Sequence, residues 1–191
     1  MNHTHEMEPT PVPDDDGACD HLTGMVVPRL ALPSTGGCSV DLHEASLARR
    51  VVVYAYPRTG VPDRDPPKGW NAIPGARGCT LQSCGFRDNN AALEACGVTV
   101  FGLSTQDTAY QREMSSRLRL PFEVLSDERL ELTTAMALPT FDMEGMVLLK
   151  RVTLVLSKGR VERVFYPVFP PERNAETVLR WLEALEPPAP A

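Results

Sequence analysis

The sequence lacks both an excess of positive charge and any long apolar run. It has 19 basic and 25 acidic side chains in 191 residues, a formal net charge of −6. No basic stripe alternates with aromatic residues, so we expect no nucleic-acid partner. No apolar stretch approaches the roughly 18 residues that cross a bilayer, so we expect no membrane partner. Residues 1–17 are polar and acidic, unlike a secretory signal, and the expected location is the cytoplasm.

Histidine is scarce and confined to one part of the chain. His3, His5, His21 and His43 all lie in the first quarter of the sequence. None of them stands at a ligand spacing from a cysteine or a carboxylate. The sequence therefore predicts no metal site and no cofactor.

Cysteine is present five times, but the chain has no C-x-x-C pair. An odd number of cysteines in a chain of this length argues against the disulfide scaffold of a small secreted protein. The missing C-x-x-C disfavours a general disulfide oxidoreductase and a paired zinc site. We expect Cys96 to be a small buried apolar residue, and we expect no special role for Cys19 or Cys38.

Cys79 and Cys84 are the candidates for thiol chemistry. They lie in the run GARGCTLQSCGFRD of residues 75–88, where a glycine-rich turn opens a predicted helix. Backbone N–H groups at a helix N-terminus carry partial positive charge, which stabilises a thiolate relative to a thiol. This position indicates Cys79 as a nucleophile, whereas Cys84 could also be a helix-face residue without a redox role.

The chain is predicted to form one domain over residues 23–187, preceded by a disordered tail over residues 1–22. The tail is rich in proline and aspartate and cannot bury enough apolar surface to offset the entropy of ordering. Residues 26–33 and 39–42 predict a hairpin, and the β-branched run 50–56 predicts a central strand. A loop over residues 58–78 then leads to the cysteine helix, and loops of this length are usually functional.

Strands and helices alternate through the rest of the predicted domain. We expect helices over residues 79–95, 106–118, 127–137 and 173–185, and strands over 98–104, 122–125, 148–156 and 161–168. This order predicts an α/β fold with a mixed central sheet and helices on both faces.

Several motifs in this order resemble those of the peroxiredoxins, specifically the Q type, or bacterioferritin comigratory proteins. They are YAYP at 54–57, GCTLQSCGFRD at 78–88, GLST at 102–105, LPF at 120–122 and LSD at 125–127. The resemblance spans about residues 26–185. It implies the thioredoxin-like fold of peroxiredoxins and a thiol-dependent peroxidase activity.

The resemblance also implies roles for particular residues. Cys79 would be the peroxidatic cysteine, which attacks the peroxide, and Cys84 the resolving cysteine, which forms a disulfide with it. Arg151 falls where the family keeps an arginine beside the thiolate, although by itself it could equally pair with a surface carboxylate. Thioredoxin or a similar dithiol protein would be the reductant, and we expect a monomer or weak dimer.

One departure from the family pattern lies just before Cys79. The family has proline and threonine or serine seven and three residues before the reactive cysteine, whereas this chain has Ala72 and Ala76. We interpret residues 58–78 as an insertion after Pro57. Pro57 would keep its shielding role, and the hydroxyl would come from Thr59 or be absent.

Helix geometry constrains the implied disulfide. Five residues on an α-helix place two Cα atoms roughly 8–9 Å apart, whereas a disulfide needs about 4.4–6.8 Å. We therefore predict that the start of the helix unwinds in each catalytic cycle. The alternative function is a redox sensor, in which the disulfide between Cys79 and Cys84 changes partner affinity with negligible turnover.

Overall fold

The computed structural model describes residues 11–62 and 64–185. Its strands are β1 (Ala31–Pro33), β2 (Ser39–Asp41), β3 (Arg50–Ala55), β4 (Val98–Ser104), β5 (Glu123–Ser126), β6 (Thr140–Met143), β7 (Met146–Leu149), β8 (Val152–Ser157) and β9 (Arg160–Phe165). Its helices are α1 (Leu42–Ala48), α2 (Cys79–Asp88), α3 (Asn90–Ala95), α4 (Thr108–Leu118), α5 (Glu131–Ala135) and α6 (Asn174–Leu185). Short 3₁₀ turns cover Trp70–Ala72 and Pro171–Arg173.

A mixed five-stranded sheet forms the centre of the fold, in the order β5-β4-β3-β8-β9. β3, β4 and β5 run parallel to one another, whereas β8 is antiparallel to both of its neighbours, β3 and β9. In the middle of β3, Val53 lies opposite Phe101 of β4 and Leu154 of β8. The predicted α/β architecture with a mixed sheet is confirmed.

The two faces of the sheet bury two separate cores because side chains alternate along a strand. Val51, Val53 and Ala55 face the core that α1 and α5 cover. Val52 and Tyr54 face the other core, which is covered by α2, α3, α4 and α6 and contains Cys79. Helices thus lie on both faces of the sheet, and Cys79, at the start of α2, lies in the second core.

The cysteine helix and the helix after β5 are shorter than predicted. α2 ends at Asp88 and α3 begins at Asn90, so the predicted helix over 79–95 is two helices. α5 covers only Glu131–Ala135, although the Asp127 carboxylate accepts hydrogen bonds from backbone N–H groups of its first turn. α1 directly follows β2, with Asp41 as its N-cap, and was not predicted.

The predicted strand over 148–156 is two strands, because Lys150 and Arg151 interrupt it, and its second part, β8, forms the predicted hairpin with β9. Its first part is β7, which pairs with β6 in a separate hairpin. Glu144 and Gly145 form the turn with φ values of 48° and 78°, as in a two-residue hairpin. The Lys150 N–H donates to the Pro139 carbonyl at 2.7 Å, and Lys150 is not part of the central five-stranded sheet. This break brings Arg151 to the start of β8.

The predicted boundary of the disordered tail at residue 22 lies too late in the chain. Cys19 and Leu22 are buried in the first core. Lys150 Nζ donates to Asp16 Oδ2 at 2.6 Å, and the Tyr166 hydroxyl donates to the same carboxylate. These bonds lower the pKa of Asp16 to about 2, with the Lys150 hydrogen bond as the main cause. Residues 1–10 of the predicted tail lie outside the described residues.

Candidate active site

Cys79 is the first residue of α2 and is almost fully buried, with 4% of its surface exposed. Gly78 precedes it with φ 95°, a left-handed backbone conformation that residues other than glycine rarely adopt. As the first residue of α2, Cys79 belongs to the turn whose backbone N–H groups have no intrahelical acceptor. The Cys79 Sγ lies 3.5 Å from the Ala76 carbonyl oxygen, to which the thiol donates.

The Arg151 guanidinium lies against the thiol. Its Nη2 is 3.2 Å from the Cys79 Sγ and also donates to the carbonyls of Gly75 at 3.2 Å and Arg77 at 3.0 Å. Its Nη1 donates to the Gln82 side-chain carbonyl. Arg151 is 3% exposed, and no carboxylate pairs with it among residues 11–62 and 64–185. Its positive charge therefore lies against the sulfur without a carboxylate partner among these residues.

A chain of buried polar side chains fixes the orientation of Arg151. The Gln82 amide nitrogen donates to Asn174 Oδ1 at 2.9 Å, and the Thr153 hydroxyl donates to the same oxygen at 2.7 Å. Gln82, Thr153 and Asn174 are each less than 5% exposed. The network connects α2, β8 and α6, and it holds the guanidinium through Nη1 while Nη2 contacts Cys79.

Sequence reasoning missed this network. A signal existed for Gln82, which lies three residues after Cys79 and so on the same face of the helix. Asn174 carried no such signal, because it is distant in sequence and begins a helix whose apolar stripe dominates its pattern. The carbonyls of Gly75 and Arg77 became apparent only from the path of the loop.

Pro57 and Thr59 have separate places at the end of β3. Pro57 is buried two residues after the end of the strand. Thr59 is also buried, but its hydroxyl donates to Gln106 Oε1 at 3.3 Å and its carbonyl accepts from the Tyr110 hydroxyl at 2.8 Å. Within the described part of the chain no hydrogen bond joins Thr59 to Cys79 or Arg151. The structure therefore does not bring the predicted hydroxyl to the thiol.

The loop between Pro57 and Cys79 covers the site with apolar and backbone groups instead. Ala76 is buried in a small cluster with Trp70 and Leu148, and the Trp70 ring also lies 6.2 Å from the Phe141 ring. Ala72, the other departure from the family pattern, is exposed. At the position of Ala76 the backbone carbonyl, rather than a side-chain hydroxyl, contacts the sulfur.

Cys84 lies in the same helix and is half-buried. Its neighbour Ser83 is buried and accepts a hydrogen bond from the Tyr54 hydroxyl at 3.2 Å. α2 is helical without a break from Cys79 to Asp88, so ideal geometry places the two cysteine Cα atoms about 8–9 Å apart. All five cysteines are free thiols in this structure.

Two glycines let α2 pack closely on the segment before α6. A Cβ at Gly78 would lie 2.7 Å from Pro171 Cγ, and one at Gly85 would lie 2.8 Å from the Glu172 carbonyl oxygen. The absence of a side chain at both positions allows this contact, which unwinding of α2 would have to break.

The described residues contain neither a candidate metal centre nor a candidate membrane span. No group of three or more His, Cys, Asp or Glu side chains among them is arranged to hold a metal ion. No helix in residues 11–62 and 64–185 is long and apolar enough to cross a membrane.

Comparison with known proteins agrees with this geometry. The Redoxin family model matches residues 22–179. The chloroplastic peroxiredoxin Q of Gentiana triflora is 32% identical over 162 residues, which cover 84% of this chain and 66% of that protein. The chloroplastic peroxiredoxin Q of Oryza sativa subsp. japonica is 32% identical over 163 residues, covering 85% and 67%. This chain thus spans about two thirds of the length of these relatives.

Solved structures share the fold. Peroxidoxin BcpB from Mycobacterium tuberculosis superposes with a TM-score of 0.70 at 24% identity, covering 86% of this chain and 99% of that one. The bacterioferritin comigratory protein of Xanthomonas campestris gives a TM-score of 0.69 at 22% identity, covering 86% and 98%.

Proposed function

The chain belongs to the redoxin family and within it to the Q-type peroxiredoxins, which are thiol-dependent peroxidases, and we propose that Cys79 is its peroxidatic cysteine. The observation that carries this proposal is the buried Arg151 guanidinium 3.2 Å from the Cys79 Sγ. A thiolate at this position faces a cation and the N–H groups of a helix start. These groups can also stabilise charge on the oxygen that leaves.

The first step oxidises Cys79. The thiolate attacks one peroxide oxygen, an S–O bond forms and the O–O bond breaks. The leaving oxygen takes up a proton and departs as water from hydrogen peroxide, or as an alcohol from an organic hydroperoxide. Cys79 becomes a sulfenic acid. The structural neighbour from Xanthomonas campestris has alkyl peroxide reduction activity, which supports including small organic hydroperoxides.

The second step forms a disulfide with Cys84. The Cys84 sulfur attacks the sulfenic sulfur, the S–S bond forms, and the hydroxyl leaves as water after protonation. Cys84 is the natural partner because it lies on the same helix and is more exposed than Cys79. The separation of the two Cα atoms requires local unwinding of α2 before the bond can form.

A dithiol protein such as thioredoxin completes the cycle by thiol–disulfide exchange. Its thiolate attacks the disulfide, a mixed disulfide forms, and its second thiol then releases Cys79 and Cys84 as thiols. The two electrons that reduced the peroxide therefore come from the reductant, which leaves as a disulfide.

Peroxide consumption coupled to thioredoxin, thioredoxin reductase and NADPH tests the proposal. We expect sustained turnover in the wild type, none in Cys79→Ser, and one equivalent of peroxide consumed without thioredoxin turnover in Cys84→Ser. Cys38→Ser is the matched control, because Cys38 is exposed in the turn between β1 and β2. Turnover retained in Cys79→Ser would refute the assignment of Cys79 as the nucleophile. Stoichiometric oxidation without turnover in the wild type would favour the redox sensor.

A further inference from the structure

Residues 13–16 lie against the loop before Cys79, although the sequence predicts them to belong to a disordered tail. This segment is called the strap below. Just after it, Cys19 and Leu22 are buried in the first core. In the strap itself Pro13 is half-buried and residues 14–16 are exposed, so burial in the core does not explain its path. The strap is instead held by contacts with three other segments of the chain.

The first contact joins the strap to the loop that covers the thiol. A Cβ built on Gly75 would lie 3.6 Å from Cβ and Cγ of Pro13, which is van der Waals distance, so the proline ring lies directly over this glycine. Gly75 is buried, and its carbonyl accepts a hydrogen bond from Arg151 Nη2 at 3.2 Å. The strap therefore covers a residue that holds the guanidinium beside Cys79.

The second contact joins the strap to the start of β8. Lys150 Nζ donates to Asp16 Oδ2 at 2.6 Å, and Lys150 immediately precedes Arg151. This hydrogen bond is the main reason why the pKa of Asp16 falls to about 2, so the carboxylate is ionised throughout the neutral pH range. An exposed ion pair adds little to the stability of a fold. Its consequence here is that the strap is tied to the residue next to Arg151.

The third contact joins the strap to the segment after β9. The Tyr166 hydroxyl donates to Asp16 Oδ1 at 2.8 Å. Tyr166 follows β9 and begins the loop that leads to the turn Pro171–Arg173. That turn lies against Gly78, where a Cβ would be 2.7 Å from Pro171 Cγ. One carboxylate of the strap thus links two segments that both lead to the surroundings of the thiol.

We propose that Asp16 is a positioning residue of the peroxidase site, and that the strap keeps Arg151 and the loop before Cys79 in the geometry that oxidation of the sulfur requires. Asp16 acts through Lys150, and Pro13 acts through Gly75, so both lead to the same guanidinium. This role rests on the proposed function and extends it to residues outside the site. A displacement of about 1 Å is enough to slow a reaction strongly, so the strap can affect the rate while it contributes little to stability.

Asp16→Asn tests the proposal, because the amide can still accept from Tyr166 but presents an N–H group to Lys150. The stopped-flow rate of Cys79 oxidation by hydrogen peroxide should fall about 3- to 10-fold. The melting temperature should stay within about 3 °C of the wild type, which separates positioning from a loss of stability. Asp16→Glu should recover most of the rate, since it keeps the charge.

Asp15→Asn is the matched control, because Asp15 carries the same charge in the strap and accepts from a neighbouring backbone N–H instead. Its rate of Cys79 oxidation should equal that of the wild type. A wild-type rate in Asp16→Asn, or an equal loss of rate in Asp15→Asn, would overturn the proposal.

A double-mutant cycle identifies the route by which Asp16 acts. If it acts through Lys150, the variant with both Asp16→Asn and Lys150→Met should lose no more rate than the more impaired single variant, because the two changes remove the same contact. Losses that multiply in the double variant would show that the two residues act independently, which contradicts the proposed route.

Hydrogen exchange gives a readout that does not depend on peroxidase activity. The Ala76 N–H donates to the Ile73 carbonyl at 3.2 Å, so exchange of this amide reports whether the loop is held in place. In the reduced protein it should exchange faster in Asp16→Asn and at the wild-type rate in Asp15→Asn. Unchanged exchange in Asp16→Asn would overturn the role of the strap. If the wild type consumed no peroxide, the proposed function would fail, and the exchange rates would still decide whether the strap holds the loop.

Discussion

Arg151 and Cys79 are 72 positions apart in the chain, yet the arginine Nη2 lies 3.2 Å from the cysteine sulfur. The same nitrogen also donates to the carbonyls of Gly75 and Arg77. One guanidinium therefore holds the loop before Cys79 in place and faces the sulfur that we propose as the nucleophile.

Arg151→Lys should lower kcat/KM for hydrogen peroxide by about 10²- to 10³-fold, the usual effect of removing one donor to the developing charge. Lysine keeps the charge, but it cannot form the fork that reaches the sulfur, the loop carbonyls and Gln82 together. Stopped-flow oxidation of Cys79 measures the effect. Arg163→Lys serves as the control, and a rate for Arg151→Lys within threefold of the wild type would contradict the assigned role.

Gln82→Ala should both destabilise the protein and slow the reaction. It removes the acceptor of Arg151 Nη1 and leaves Asn174 Oδ1 with one donor fewer, at a cost of about 1–3 kcal/mol in the free energy of unfolding. We expect the rate of Cys79 oxidation to fall about tenfold, and Gln82→Glu should not restore it, because its carboxylate would pair with Arg151 and could not donate to Asn174 Oδ1.

Gln111→Ala is the matched control for Gln82→Ala, because Gln111 is also a buried glutamine, bonded instead to Ser104 and Leu125. Urea unfolding and stopped-flow kinetics on both variants separate stability from catalysis. An equal loss of oxidation rate in the two variants would show that Gln82 has only a structural role.

Disulfide formation should unwind the start of α2. Amide protection of residues 79–88 should fall on oxidation, because a regular helix holds the two cysteine Cα atoms too far apart. Amide protection of residues 171–175 should fall at the same time as that of residues 79–88, because Gly78 and Gly85 pack against this segment. Hydrogen exchange followed by mass spectrometry can compare both states. α4 is the internal reference, and unchanged protection of residues 79–88 would disprove the unwinding.

Cys19 should make the protein sensitive to alkali. Burial, helped by the charges of Asp16, Asp15 and Asp20, raises the pKa of Cys19 to about 12. The neutral thiol is thus preferred in the folded state, so this contribution to stability is complete below the unfolded pKa of about 8.5 and is lost as the pH rises towards 12.

The measurement is the change in melting temperature between pH 8 and pH 10.5. Cys19→Ala should lose less stability over this interval than the wild type, whereas Cys38→Ala, at an exposed site, should behave like the wild type. A wild-type pH dependence in Cys19→Ala would show that burial of this thiol is not the cause.

Elements with a strong local signal were predicted closely from the sequence. β4 was predicted with its observed bounds, and β3 within one residue, because β-branched runs flanked by turn residues have few alternatives. The break after Asp88 and the division of residues 148–156 into β7 and β8 were missed. These depend on which distant groups take up the backbone hydrogen bonds, as with Lys150 and Pro139.

By itself, the sequence determined the order of the elements, the family resemblance and the place of Cys79 at a helix start, since these depend on local pattern and short motifs. The contacts of Arg151 with the sulfur, of Gln82 and Asn174 with one another and with Arg151, and of the Thr59 hydroxyl with Gln106 depend on the folded chain. The tertiary structure also decided that loop residues 58–61 and 64–68 line a cleft beside Trp70. Buried polar groups need hydrogen-bond partners, and here the partners come from segments that are distant in the sequence. Such pairing produces no pattern in the local sequence.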